Sequence, residues 1–188
     1  MNMTLKPAFG FSGSALKVIA MISMVIDHIA LYLMEHGTLL YETMRCIGRI
    51  AFPVFAFLIA EGFIHTRSRY RYFFTLLGFA VISEIPWYLL NGADGTHNVM
   101  FTLALGVATL MVLENLLQRS LIQGFLWTLG MAGLASWLGV DYEWRGILVI
   151  VIFYLFKEYG DSFPYSRGMQ FFCTFTLMMY YGITGILL

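Results

Sequence analysis

Charge is what this chain has least of. Only 12% of its 188 residues are Asp, Glu, Lys or Arg, against 60% that are hydrophobic, and the mean hydropathy is +0.77. A soluble domain of this size cannot cover so much apolar surface with so few charges, so composition selects an integral membrane protein. The formal net charge is zero and no run of acidic or basic residues forms a tail, which argues against nucleic-acid binding. Cysteine is scarce too. Cys46 and Cys173 lie far apart, without zinc or disulfide spacing, so both read as packing residues and no metal is expected. The sequence also lacks a small-residue cleavage site after its first apolar run. That run follows Lys6 and Lys17, contains Asp27 and His28, and reads as a retained first span. No linker-like stretch and no inverted repeat divides the chain, so residues 1–188 read as a single bundle.

What is present is a series of apolar runs without the alternation of an outer-membrane barrel, and the expected fold is all-α. A spanning helix needs roughly 20 apolar residues. On that scale spans are expected near 14–34, 46–64, 70–90, 99–117, 120–138 and 168–188. The run 145–157 is a shorter one, either a short or tilted span reaching back toward Asp141 or a re-entrant helix. If all seven cross, Lys6, Lys17, Arg67, Arg69, Arg71, Arg119, Lys157 and Arg167 fall on one side, and Arg45 and Arg145 lie near span ends on the other. The positive-inside rule then gives about seven transmembrane helices with a cytoplasmic N-terminus.

Charges inside such runs cost roughly 2.5–3.5 kcal/mol each at a helix centre, so they mark partners or a polar cavity. Residues 48–66 carry Arg49 near one end and Glu61 near the other, with Pro53 between them. Asp27, His28, Arg49, Glu84, Asn98 and Asp141 belong to the outer half by this topology, and Arg49 is the natural counter-ion for Asp27. Pro53 and Pro86 each free a backbone carbonyl, those of Arg49 and Ile82. Glu61, His65, Thr66 and the run Arg67, Arg69, Arg71 lie at the inner end. That run is an ordinary topology signal or a phosphate-binding set. An Asp–Arg pair is equally compatible with a structural role, and His28 with a hydrogen-bonded packing histidine.

Several segments together resemble one family. They are Leu16-Lys17-Val18-Ile19-Ala20, Met24-Val25-Ile26-Asp27-His28-Ile29, Gly48-Arg49-Ile50-Ala51-Phe52-Pro53 with Ala60-Glu61-Gly62-Phe63 and His65-Thr66, Ile82-Ser83-Glu84-Ile85-Pro86, and Asn98-Val99-Met100-Phe101-Thr102-Leu103. The chain from about Leu16 to Phe156 resembles the TraX family. The resemblance implies a multi-pass protein of the bacterial cytoplasmic (inner) membrane, related to acyltransferases that draw acetyl-CoA from the cytoplasm. It also implies an intramembrane histidine, here His28, and an acceptor such as a pilin-like N-terminal amine or another envelope group.

Combining the resemblance with the residues gives one mechanistic expectation. Arg67, Arg69 and Arg71, with His65 and Glu61, would receive acetyl-CoA. His28 would act as general base, Asn98 or Arg49 would stabilise the oxyanion, and Asp27 would hold Arg49. Glu84 and Asp141 would face the acceptor. Two other functions fit the same residues: a small proton- or ion-coupled transporter using Asp27, Arg49 and Glu84, and a non-catalytic pilus or envelope assembly factor. Nothing in the sequence addresses the oligomeric state.

Overall fold

Seven helices follow one another along the residues that the computed structural model of the protein describes, 12–160 together with Cys173 and Phe175. They are α1 (Gly13–Leu33), α2 (Leu39–Gly48), α3 (Ala51–His65), α4 (Arg69–Asn91), α5 (Val99–Arg119), α6 (Leu121–Trp137) and α7 (Glu143–Tyr159). The described chain is all-helical apart from one isolated parallel bridge between His97 and Val140. It divides into two compact units, Met1–Leu58 and Ile59–Leu188, with the division falling inside α3.

In the first unit Ser12 caps α1, its side chain accepting the Ala15 N–H at 3.2 Å. Ala20, Ser23 and Ala30 are buried on one stripe, and Asp27 continues the same three-and-four spacing. Val18, Met21, Ile22 and Val25 are exposed around the rest of the helix, as a lipid-facing surface requires. Helix α2 packs against α1, and Gly48 lies directly against Asp27. A Cβ built there would overlap the Asp27 side chain.

The second unit is organised around α5, which packs against α4, α6 and α7. Thr102, Leu103, Ala104, Gly106, Val107, Thr109, Leu110 and Leu113 are all buried along it. A Cβ at Gly106 would strike Ile150 of α7, so the small residue sets that helix spacing. Phe63 meets Tyr154 edge-on at 5.7 Å, and Trp127 Nε1 donates to the Thr109 carbonyl at 3.1 Å. Ser120 alone separates α5 from α6.

The expected spans change at two places. The segment expected as one span over 46–64 is two helices, broken at Arg49 and Ile50 and starting earlier, at Leu39. Pro53 does not kink a helix interior. It sits in the first turn of α3, where the missing N–H has no partner to lose. The run 145–157 is a single continuous helix from Glu143 to Tyr159. Helix α1, the pair α2 and α3 taken as Leu39–His65, α4 and α5 are each long and apolar enough to cross a membrane. Helices α6 and α7 have 17 residues each, at the lower limit of the spanning range. Several apolar helices thus make this a membrane protein. The expected span 168–188 lies outside the described residues, except for the helical positions Cys173 and Phe175.

Candidate functional site

Three polar groups emerge, each built from residues close to helix ends or helix contacts. The first is in the first unit. Asp27 on α1 pairs with Arg45 on α2, with both side chains about four-fifths buried. Sequence reasoning named Arg49 as the counter-ion. The helix actually begins at Leu39, so Arg45 lies inside it, one turn before Arg49 on the same face. Arg49 is the C-cap residue of α2, its N–H donating to the Arg45 carbonyl at 3.1 Å.

His28, next to Asp27 in sequence, makes a different contact. Its Nδ1 lies 2.8 Å from the Met24 carbonyl oxygen. A carbonyl can only accept, so Nδ1 carries a proton, and it is Nε2 that is bare whenever the ring is neutral. The ring sits with Tyr32 at 6.0 Å between centroids. His28 lines an open apolar cavity of about 350 Å³ with Met24, Val25, Ile29, Tyr32 and Leu33.

The second group joins the end of α4 to the start of α5. Glu84 accepts from His97 Nδ1 at 2.5 Å, from Asn98 Nδ2 at 2.6 Å and from the Asn98 backbone N–H at 3.3 Å. Asn98 is buried, and every polar atom of its side chain is in use. Its Oδ1 accepts the Met100 N–H at 3.0 Å as the N-cap of α5, and Nδ2 also donates to the Ala80 carbonyl at 2.9 Å. Neither amide proton is left for an oxyanion, so Asn98 here is a clamp and a cap. The expectation that it stabilises the oxyanion does not fit this arrangement.

The loop 92–98 is fastened to the segment before α7. The His97 N–H donates to the Gly139 carbonyl at 2.9 Å, and the Asp141 N–H donates to the His97 carbonyl at 3.0 Å. Thr102 Oγ1 donates to the Asp141 carbonyl. A Cβ on Gly139, at φ +65°, would lie 2.6 Å from the Gly95 carbonyl oxygen, so no other residue fits there. Asp141 Oδ1 accepts the Tyr142 N–H at 2.9 Å. Tyr142 and Glu143 themselves adopt positive φ, 62° and 44°, a conformation that stores strain at non-glycine positions. Asp94, in the same loop, accepts the Thr96 N–H at 2.9 Å and its hydroxyl at 2.7 Å. These bonds hold its carboxyl below the usual value, the backbone bond having the larger effect.

The third group lies where α3 ends and α4 begins. Glu61 pairs with Lys157 of α7 at 3.0 Å and with His65 at 3.6 Å, and His65 Nδ1 is 2.9 Å from the Glu61 carbonyl oxygen. Arg69 pairs with Glu114 at 2.6 Å and stacks over Phe63 at 4.9 Å. Arg67 and Arg71 are exposed, and no ion pair holds either of them among the described residues. Sequence reasoning missed Lys157 and Glu114, and also His97. In the sequence Lys157 stands out only as a topology charge. The signal for His97 was its position directly before Asn98, since any residue that brings Asn98 to Glu84 brings His97 as well. Among the described residues no three His, Cys, Asp or Glu side chains gather in a metal-holding geometry.

Comparison with known proteins adds a family and two relatives. The family model described as "TraX protein" matches residues 12–184. The chain is 38% identical over 136 residues to "Probable fimbrial assembly protein FimC, serogroup H1" of Dichelobacter nodosus, covering 66% of this chain and 55% of that protein. It is 34% identical over 142 residues to "Uncharacterized protein RP591" of Rickettsia prowazekii (strain Madrid E), covering 74% of this chain and 52% of that one. The chain therefore spans about half the length of the curated relatives it matches. No solved structure is significantly similar.

Proposed function

The chain belongs to the TraX family, and from that premise we propose that it is a multi-pass acetyltransferase of the bacterial inner membrane, acting in pilus or fimbrial assembly. It moves an acetyl group from cytoplasmic acetyl-CoA to an acceptor at the outer side, a pilin-like N-terminal amine or another envelope group. The observation that carries this reading is the His28 ring. Its Nδ1 lies 2.8 Å from the Met24 carbonyl oxygen, and the residue lines an open apolar cavity of about 350 Å³. An imidazole on an apolar helix, anchored at one nitrogen and bordering an open cavity, suits a general base better than a packing residue, which needs no open space beside its ring.

In the proposed topology all seven expected spans cross, α6 and α7 among them, and the N-terminus is cytoplasmic. The end of α3 and the start of α4 then face the cytoplasm. Arg67 and Arg71 are the cations available for the phosphates of acetyl-CoA, because Glu114 and Phe63 hold Arg69 in place. Glu61, Lys157 and His65 form the wall beside them. His28 Nε2 takes the proton of the attacking acceptor as its nitrogen or oxygen bonds to the acetyl carbon. The C–S bond breaks, and the departing CoA thiolate takes up that proton. With Asn98 committed to its clamp, Arg49 is the candidate for the oxyanion, and the Asp27–Arg45 pair fixes the helix that carries it.

The printed name of the Dichelobacter relative favours a second reading, an assembly factor without catalysis. Acetyl-CoA separates the two. A transferase should be thermally stabilised by acetyl-CoA in detergent, and replacing Arg67 and Arg71 with Ala should remove the stabilisation. Envelope proteins and glycans from cells lacking it should lose an acetyl mass by mass spectrometry. No stabilisation together with unchanged acetylation would favour the assembly factor.

A further inference from the structure

The carboxylate of Glu61 is shared by two bases where α3 ends, and all three residues belong to the second unit. Lys157 Nζ of α7 lies 3.0 Å from Oε2, and His65 Nδ1 lies 3.6 Å from Oε1. The Glu61 side chain is about two-thirds buried, and Oε2 accepts no hydrogen bond among the described residues. Its contact with Lys157 is therefore one of charge without a directed bond. A poorly solvated carboxylate is costly unless a cation stands beside it. Lys157 supplies that cation, yet its ammonium has three donors and its side chain keeps 46% of its accessible surface, so it can turn toward a ligand. His65 is 64% exposed, and its Nδ1 donates to the Glu61 carbonyl at 2.9 Å. That bond anchors the ring beside the carboxylate, where a protonated imidazole is a second cation already in place. Among the other charged groups at this end, Arg69 of α4 and Glu114 of α5 neutralise each other, and Glu158, next to Lys157, is exposed. Arg67 and Arg71 are the exposed cations that follow His65 along the chain.

Resting on the acetyltransferase reading above, we propose that Lys157 is a further phosphate-binding residue of the donor site, and that His65 takes up a proton when acetyl-CoA binds. Charge accounting supplies the reason. Before binding, Glu61 and Lys157 cancel and His65 is neutral. A phosphate oxygen that draws Lys157 toward itself leaves Glu61 without its cation. The His65 ring, already fixed 3.6 Å away, takes one proton from solvent and fills that place. Glu61 exchanges Lys157 for His65 as its partner, and Lys157 joins Arg67 and Arg71 on the phosphates. No covalent bond is made or broken, and one proton enters with the donor. An ion pair kept only for packing would bind no proton with the ligand.

The test uses the full chain in nanodiscs with acetyl-CoA as the ligand, read by titration calorimetry in two buffers of different ionisation enthalpy. Between about pH 8 and pH 6, where histidine changes charge, the affinity of the unsubstituted protein should rise about 3- to 10-fold per pH unit relative to His65→Gln, tenfold being the limit for one linked proton. The unsubstituted protein should also draw more protons from the buffer than His65→Gln does. The terminal phosphate of the ligand titrates near pH 6 by itself, but equally with both proteins, so it cancels in the comparison. Lys157→Gln should bind more weakly and lose the extra proton uptake, because Glu61 no longer changes partner. Glu61→Gln releases Lys157 and should bind at about pH 8 at least as tightly as the unsubstituted protein. His65→Asn repeats the comparison if His65→Gln fails to fold. Equal pH dependence in the unsubstituted protein and His65→Gln, or unchanged affinity in Lys157→Gln, would overturn the proposal while leaving acetyl-CoA binding intact. Absence of acetyl-CoA binding at every pH would overturn the acetyltransferase reading, and this proposal with it.

Discussion

Gly48 and Asp27 meet so closely that any side chain on the first would occupy the space of the second. This contact is what lets Arg45, three residues before Gly48, reach the Asp27 carboxylate. A charge pair at this depth is tolerated because each member is the other's partner, and removing one leaves a poorly solvated ion.

Gly48→Ala should therefore destabilise the protein by about 1–3 kcal/mol through overpacking, and it should loosen the Asp27–Arg45 pair. Gly78→Ala, on α4 with nothing within 4 Å of the added methyl, is the control. It should be neutral or more stable by about 0.5–1 kcal/mol, because Ala restricts the unfolded chain. Thermal melting of the two variants in the same detergent checks the ordering.

Asn98 separates capping from clamping. Asn98→Ala loses the cap on Met100, costing about 1 kcal/mol, together with the neutral donors to Glu84 and Ala80. Asn98→Asp keeps an acceptor for Met100 but replaces the amide that donates to Glu84 and to the Ala80 carbonyl with a carboxylate oxygen facing both. The account predicts that Asn98→Asp is the more damaging of the two. If Asn98 were only a helix cap, Asp would be harmless, and equal melting temperatures for Asn98→Asp and the unsubstituted protein would show it.

This distinction also shows where sequence reasoning stopped. Apolar runs located α1, α4, α5, α6 and α7 to within a few residues, because hydropathy depends on composition over a whole helix. The break between α2 and α3 was not legible. Arg45 and Glu42 lower the hydropathy of 39–48, so the first turns of α2 read as loop, and Pro53 looked like a kink when it is a first-turn residue. Polar residues were legible as costly, but not as pairs. Glu84 lies 13 residues from His97 and 45 separate Arg69 from Glu114, and only the packing of helices decides which meet. The resemblance to TraX, carried by short motifs at definite positions, was fully legible, and the family match over 12–184 bears it out.

Asp94 gives a pH signature outside the membrane. Its hydrogen bonds from Thr96 put its folded pKa below the ordinary 3.8. A depressed carboxylate stabilises the folded loop above that value and loses the contribution as pH falls through the lower, folded value. The Thr96 amide should therefore be protected from hydrogen exchange at neutral pH and lose that protection below about pH 3.8. Asp94→Asn should flatten this acid limb, because its side chain does not titrate.

The most direct measurement is acetyl transfer by the purified protein and by His28→Ala in nanodiscs, using acetyl-CoA labelled on the acetyl group and a peptide or glycan acceptor. His28 contributes neither to the Asp27–Arg45 pair nor to the Glu84 cluster, so the variant should fold and melt close to the unsubstituted protein. The account predicts that labelled acetyl reaches the acceptor with the unsubstituted protein and falls at least about 100-fold with His28→Ala. Equal transfer by the two proteins would contradict it.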